Sequence, residues 1–186
     1  MQRCCNNNNT SITNDMWLLW EQYVYWTRFF IISTAACLKD LDEVTKRLLR
    51  NPKDFTVALM PFYGTAKSER FGSLLTEHLE IGGELVIELK AENSQKAGDA
   101  RDRWYENADE IASFLASINR FWCEDEWRNM LYSHLELTER EASERLSCQF
   151  ARDIATFDEI EKEALQMADY MACGIMRQCF KCSNRR

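Results

Sequence analysis

From Trp17 to Ser33 the chain reads WLLWEQYVYWTRFFIIS, apolar almost throughout, with Glu21 and Arg28 as its only charges. At 100° per residue, Trp17, Glu21, Val24, Arg28 and Ile32 fall on one side of a helix, and Leu19, Trp26 and Phe30 on the other. The pattern predicts a helix over 16–37 that is apolar all round, at the centre of a bundle or in a membrane. A span needs about 20 mostly apolar residues, which this stretch could supply. However, Glu21, Gln22 and Arg28 near its middle would each cost about 2–3 kcal/mol on insertion. The other helical stretches carry a charged face and supply no second span. A buried helix in a soluble bundle is the better reading.

The remaining pattern is a succession of helices. Asp15 can cap the first, and DLDE (Asp40–Glu43) has the spacing of a capping box opening a short helix to about Arg50. Asn51–Pro52 stops it, and MPFYG (Met60–Gly64) makes a second break. Thr65 begins a helix to about Asn93, with Leu74, Leu75, Leu79, Ile81, Leu85 and Leu89 as its apolar positions. Helices over about 99–118 and 124–136 follow. TERE (Thr138–Glu141) reads as another capping box, after which the last helix runs to about Gln178. No period-two strand pattern survives. The expected fold is all-α, a single-domain helical bundle of six or seven helices over 16–178, with a disordered tail at 1–15 and a basic tail at 179–186. Met16 is a second candidate start.

Composition agrees with this picture. Six Gly and two Pro in 186 residues are too few turn-formers for a many-stranded β fold. The net charge of −7 is unevenly spread. Residues 176–186 carry four basic groups and no acid, and 1–15 balance Arg3 against Asp15, so the body at 16–175 holds −11, the −7 less this +4. An acidic body argues against nucleic acid as a partner, because phosphate contacts need clustered Lys and Arg. Of eight cysteines, Cys37, Cys123, Cys148 and Cys173 are scattered singly in helical pattern, where Cys acts as a small apolar residue. Cys179 and Cys182 form a lone CxxC, and Cys4–Cys5 are adjacent, which fits no structural zinc site. With no signal peptide before the body, the expected setting is a reducing cytoplasm.

Candidate chemistry lies in polar residues on apolar faces. Buried charges need partners. Glu21 and Arg28 are two turns, about 10 Å, apart and cannot pair closely with each other. His78 lies between Leu74 and Ile81, His134 lies with Met130, Leu131 and Leu137, and Asn107 shares a face with Trp104, Ile111 and Phe114. Asp109 is a further carboxylate in that region. Asp158 and Asp169, eleven apart, fall within about 20° of one face, and either is the expected partner of Arg28. One reading joins these eight residues in a buried polar network that fixes helix register. The rival is a divalent metal (iron, manganese or zinc) on His78, His134, Glu21 and Asp158, with Asp109 as another candidate carboxylate. Di-iron bundles use Glu-x-x-His, and here Leu75 and Leu131 occupy the Glu positions. No G-x-S-x-G is present, and Gly82–Gly83 lie inside a helix pattern, where they permit close approach of another helix. EHLEI (77–81) echoes SHLEL (133–137), and NADEIA (107–112) echoes MADYMA (167–172). These are the traces of a duplicated hairpin or, more simply, chance in a helix-rich composition.

At WEQYVYWTRFFIIS, RLLRNPKDF, PFYG, EHLEIGGELV, WYENADEIASFLASIN, MLYSHLELTEREA and MADYM the chain resembles a family of small helical proteins from Firmicutes, over nearly all of 16–176. Many members carry the automatic name acetylglutamate kinase. That name implies an α/β fold with glycine-rich nucleotide loops, neither of which this sequence predicts. The resemblance also implies a histidine where this chain has Tyr23. The leading expectation is a cytoplasmic binding or interaction protein, with a metal-dependent bundle as rival and the kinase as third. A protein partner or a second copy of the chain is the expected company, and the ligand is left open.

Overall fold

A computed structural model describes residues 2–183, with side chains over 10–179. The described residues form seven helices and no strand: α1 (Gln2–Ala35), α2 (Leu41–Leu48), α3 (Asn51–Tyr63), α4 (Thr65–Lys90), α5 (Ser94–Ile118), α6 (Glu124–Leu146) and α7 (Phe150–Ser183). They make the single-domain all-α bundle that the periodicity predicts. α4 packs on α3 and α5, α5 on α6, α6 on α7, and α7 on α1, while α1 also meets α2 and α3 and so closes the ring. Among the described residues no helix is long and apolar enough to cross a membrane.

Most breaks follow local chemistry. Pro52 sits in the first turn of α3, where its missing N–H costs nothing, and Asn93 caps α5 by accepting from the Lys96 N–H. Gly64 separates α3 from α4 at φ +76, a conformation that glycine adopts freely. Two capping boxes are corrected. Asp40 makes no cap bond and instead accepts from the Ser33 hydroxyl at 2.9 Å. TERE lies in the middle of α6, with Thr138 and Glu141 buried; the real break comes at 147–149, where Cys148 has φ +58. The cap-like spacing is also the spacing of a helix's inner face, and burial decides between them.

The ends differ from expectation as well. α1 begins at Gln2, so the segment read as a tail is continuous with it, and Asp15 lies inside the helix. Ile12 packs against the core one turn before Met16, and once the packed part is formed each further residue adds a backbone bond. α7 runs to Ser183, and the end of the expected basic tail, 184–186, lies outside the described residues. Cys37, Cys123, Cys148 and Cys173 are free and exposed, not core residues.

α1 does not bury all of its circumference. Met16, Leu19, Trp20, Tyr23, Val24, Phe30 and Ile31 face inward, while Trp17, Leu18, Tyr25 and Phe29 are exposed. α7 turns inward a different face from the one that carries Asp158 and Asp169, the expected partners of Arg28. Asp153, Phe157, Ile160, Ala164, Met167 and Met171 are buried and Ile154 is 54% exposed. Ala164, Ala168 and Ala172 are all buried, and this small-residue face lets neighbouring helices approach closely.

Candidate functional site

Arg28 reaches from α1 into the seam between α6 and α7. Its guanidinium donates to Glu141, lies 2.6 Å from Asp153 Oδ1, and stacks over Phe157 at 4.6 Å. Arg145 approaches the other Asp153 oxygen at 3.2 Å. Glu141 and Asp153 are buried, so two carboxylates and two guanidinium groups neutralise one another below the surface. Burial pushes the Glu141 carboxyl up to about 7, and Arg28 only partly offsets the shift.

The expected partners are therefore wrong. Asp158 and Asp169 lie on the exposed face of α7, where Asp169 accepts from the Trp17 indole at 2.8 Å. Glu21 is only half-buried on α1, so it needs no buried partner. Asp109 is also half-buried and serves a surface cluster, accepting from Arg128 at 2.7 Å and from the Tyr132 hydroxyl at 3.1 Å. Thr138 and Glu141 lie four and seven residues after His134, on its helix face, and Asp153 and Glu163 share a stripe with Ile160 and Met167. That signal competes with the cap-like spacing of TERE and with a second apolar stripe on α7.

Both histidines are buried, and each bonds a residue 29 positions later across a helical hairpin. In α4–α5, His78 Nδ1 lies 2.7 Å from Asn107 Oδ1, and the Asn107 amide donates to the Leu74 carbonyl at 3.2 Å. That second bond fixes which end of the amide is oxygen, so Nδ1 must carry the proton and Nε2 must be a lone-pair acceptor. Burial drags the His78 pKa down to about 3 against the Asn107 bond, with His134 adding to the fall, so the ring is neutral. In α6–α7, His134 Nδ1 donates to Glu163 at 3.2 Å, with the Thr138 hydroxyl 3.5 Å from Nε2. The Tyr23 ring packs 5.3 Å from His134, and burial, with the Glu163 carboxylate, raises its phenol pKa.

Beside His78 is an inner cavity of about 20 Å³ lined by Tyr23, Phe30, Trp104 and Thr138 among others. His78 Nε2 and Trp104 Nε1 are buried without a protein partner. The cavity shares Phe30, Leu48, Leu79 and Gly83 with an open groove of about 510 Å³ between α1, α2 and α4. Thus a shallow apolar trough on the surface borders a small, mostly apolar chamber in the core, with His78 and Trp104 among its lining residues. Gly82 lets α5 approach closely, since a Cβ there would sit 3.0 Å from the Trp104 ring, a tight contact.

The structure brings His78, Asn107, Tyr23, His134 and Arg28 into the interior but leaves Glu21, Asp109, Asp158 and Asp169 outside it. Among the described residues no group of three or more His, Cys, Asp or Glu comes together as a metal site would need. Tyr23, Trp104, Thr138, Glu141, Asp153 and Glu163 complete the polar core.

Fold and site define a helical bundle with a polar core and an apolar surface groove. No protein-family model matches the chain, and neither a curated protein nor a solved structure does so.

Proposed function

We propose that this protein is a cytoplasmic binding protein that takes a largely apolar ligand in the α1–α2–α4 groove and has no catalytic group of its own. The observation that carries this reading is the groove itself. Buried Leu48 and Leu79 line it, half-exposed Ile87 stands at its edge, and four of its lining residues also line the inner chamber. Ligand sites combine such apolar walls with a few polar groups. The ionised groups of the core are taken up by one another, as Arg28 is by Glu141 and Asp153. Exposed free thiols suit a reducing compartment.

A neutral dye such as Nile red tests the reading. It should bind saturably with one-to-one stoichiometry, and Ile87→Asp should weaken binding at least tenfold without changing the fold. Absence of saturable binding overturns it.

The outer face of α1, with Leu18, Tyr25 and Phe29 exposed, is where a protein partner or a second copy would sit. The metal reading rests on the two buried imidazoles. Stoichiometric iron, manganese or zinc in untagged protein, lost on His78→Ala, would replace the proposal. The kinase name rests on the resemblance alone, and ATP turnover with acetylglutamate would establish it.

A further inference from the structure

We propose that the inner chamber is a hydroxyl-recognition site and that the ligand is a neutral, unbranched amphiphile whose apolar chain lies in the groove and whose terminal hydroxyl bonds His78 Nε2. The inference rests on the groove being a ligand site and adds the chemistry of the ligand's head.

Four observations support it. The first is the fixed tautomer: the Leu74 carbonyl orients Asn107, Asn107 places the proton on His78 Nδ1, and Nε2 is left as a buried acceptor without a partner. Trp104 Nε1–H, lining the same chamber, is a donor without a partner. A group that both donates and accepts, a hydroxyl or a water molecule, has the chemistry to satisfy both.

Size is the second. About 20 Å³ exceeds the roughly 10–15 Å³ that one oxygen requires, and it leaves no room for a larger head. Charge is the third. The groove lining holds Glu80, Glu84 and Glu88 and no cation, and the chamber lining holds neither a carboxylate nor a cation, so a carboxylate or phosphate head would find no counter-charge.

The fourth is Gly83, which lines both spaces. Glycine is a poor helix former, and packing does not require one here, because a Cβ would meet Phe30 Cζ at 3.4 Å, an ordinary contact. Gly83 and Phe30 line both spaces, so the proposed ligand's chain would pass between them.

The test uses 1-octanol, octanoate and heptyl methyl ether, each competing with Nile red at pH 7.5. The ether has the same number of heavy atoms as the alcohol and no donor. 1-Octanol should bind at least tenfold more tightly than either comparator and shift the nitrogen-15 resonance of His78 Nε2. His78→Leu should reduce the alcohol to the level of the ether. Gly83→Val, on the lining shared by the two spaces and away from the hydrogen bonds, should weaken 1-octanol at least tenfold in protein with an unchanged circular dichroism spectrum. Equal affinity for alcohol and ether, or tighter binding of octanoate, overturns the hydroxyl site while leaving the groove as a binding site. Loss of Nile red binding in the wild-type protein would overturn both.

Discussion

In the α4–α5 hairpin a buried histidine leans on an amide, and in the α6–α7 hairpin one leans on a carboxylate. The layout is otherwise the same, with a histidine on the first helix bonded across the turn to a residue 29 positions later. The echo of EHLEI and SHLEL marks the matched histidines. A carboxylate partner engages Nδ1 as a charged acceptor and, with Thr138 beside Nε2, leaves the His134 ring no free nitrogen. An amide partner fixes a neutral ring and leaves Nε2 open toward a chamber. The ionic side of the core closes on itself, and Arg28 ties α1 to it. The neutral side borders a groove.

The largest expected effect is on the ionic side. Arg28→Ala leaves Glu141 and Asp153 buried around Arg145 alone and should cost about 3–5 kcal/mol in urea unfolding. Arg28→Met should do no better, whereas Arg28→Met with Glu141→Leu should recover much of the loss, because Asp153 keeps Arg145. Strictly additive losses would show that Arg28 and Glu141 are not a pair.

Next in size is the contrast between the histidines. His134→Phe strands the Glu163 carboxylate and should cost about 1–3 kcal/mol, with Glu163→Gln restoring part of it. His78→Phe strands only the neutral Asn107 oxygen and also removes an unpaired nitrogen, so it should cost less. Equal losses would erase the distinction between the two hairpins.

The pH dependence of stability sharpens the comparison, since the two sides titrate in opposite senses. His78, near 3 when folded and 6.5 when free, contributes stability above pH 6.5 that is lost as pH falls toward 3. Glu141, near 7 when folded and 4.5 when free, contributes stability below pH 4.5 that is lost as pH rises toward 7. Between 4.5 and 6.5 the slopes oppose, each at most about 1.4 kcal/mol per pH unit. Unfolding midpoints should therefore be nearly flat there in the wild-type protein. They should rise with pH in Glu141→Gln and fall with pH in His78→Leu. Parallel profiles for the two variants would contradict the assignment.

The smallest effect concerns adjacent glycines. Gly83→Ala should stabilise by up to about 1 kcal/mol through helix propensity. Gly82→Ala should destabilise, because its Cβ presses on the Trp104 ring. Thermal melts of the two variants moving in the same direction would mean that the packing around the two glycines differs from this description.

Helix content and most element boundaries were legible in the sequence because they rest on local physics. Pro52 and Gly64 mark real breaks, and the 3.6-residue period places His78, His134 and Asn107 indoors without any knowledge of their neighbours. The same locality misled at Thr138–Glu141, where a cap and an inward-facing turn share one spacing. It misled again on α7, where Ile154 and Asp158 compete with Asp153 and Phe157 for the inner face. A helix's own pattern gives its apolar arc only to within about one residue. In the folded chain the buried face of α7 is the one that carries Ala164 and Ala168.

What the sequence determined by itself was that Arg28 sits in an apolar stretch and, if buried, must have a carboxylate partner. Which carboxylates these were, which nitrogen of His78 carries a proton, and whether a groove lies beside a chamber were decided only when five long helices set their mutual rotation. Those are properties of contacts between residues far apart in the chain, and each depends on the packing of the whole core.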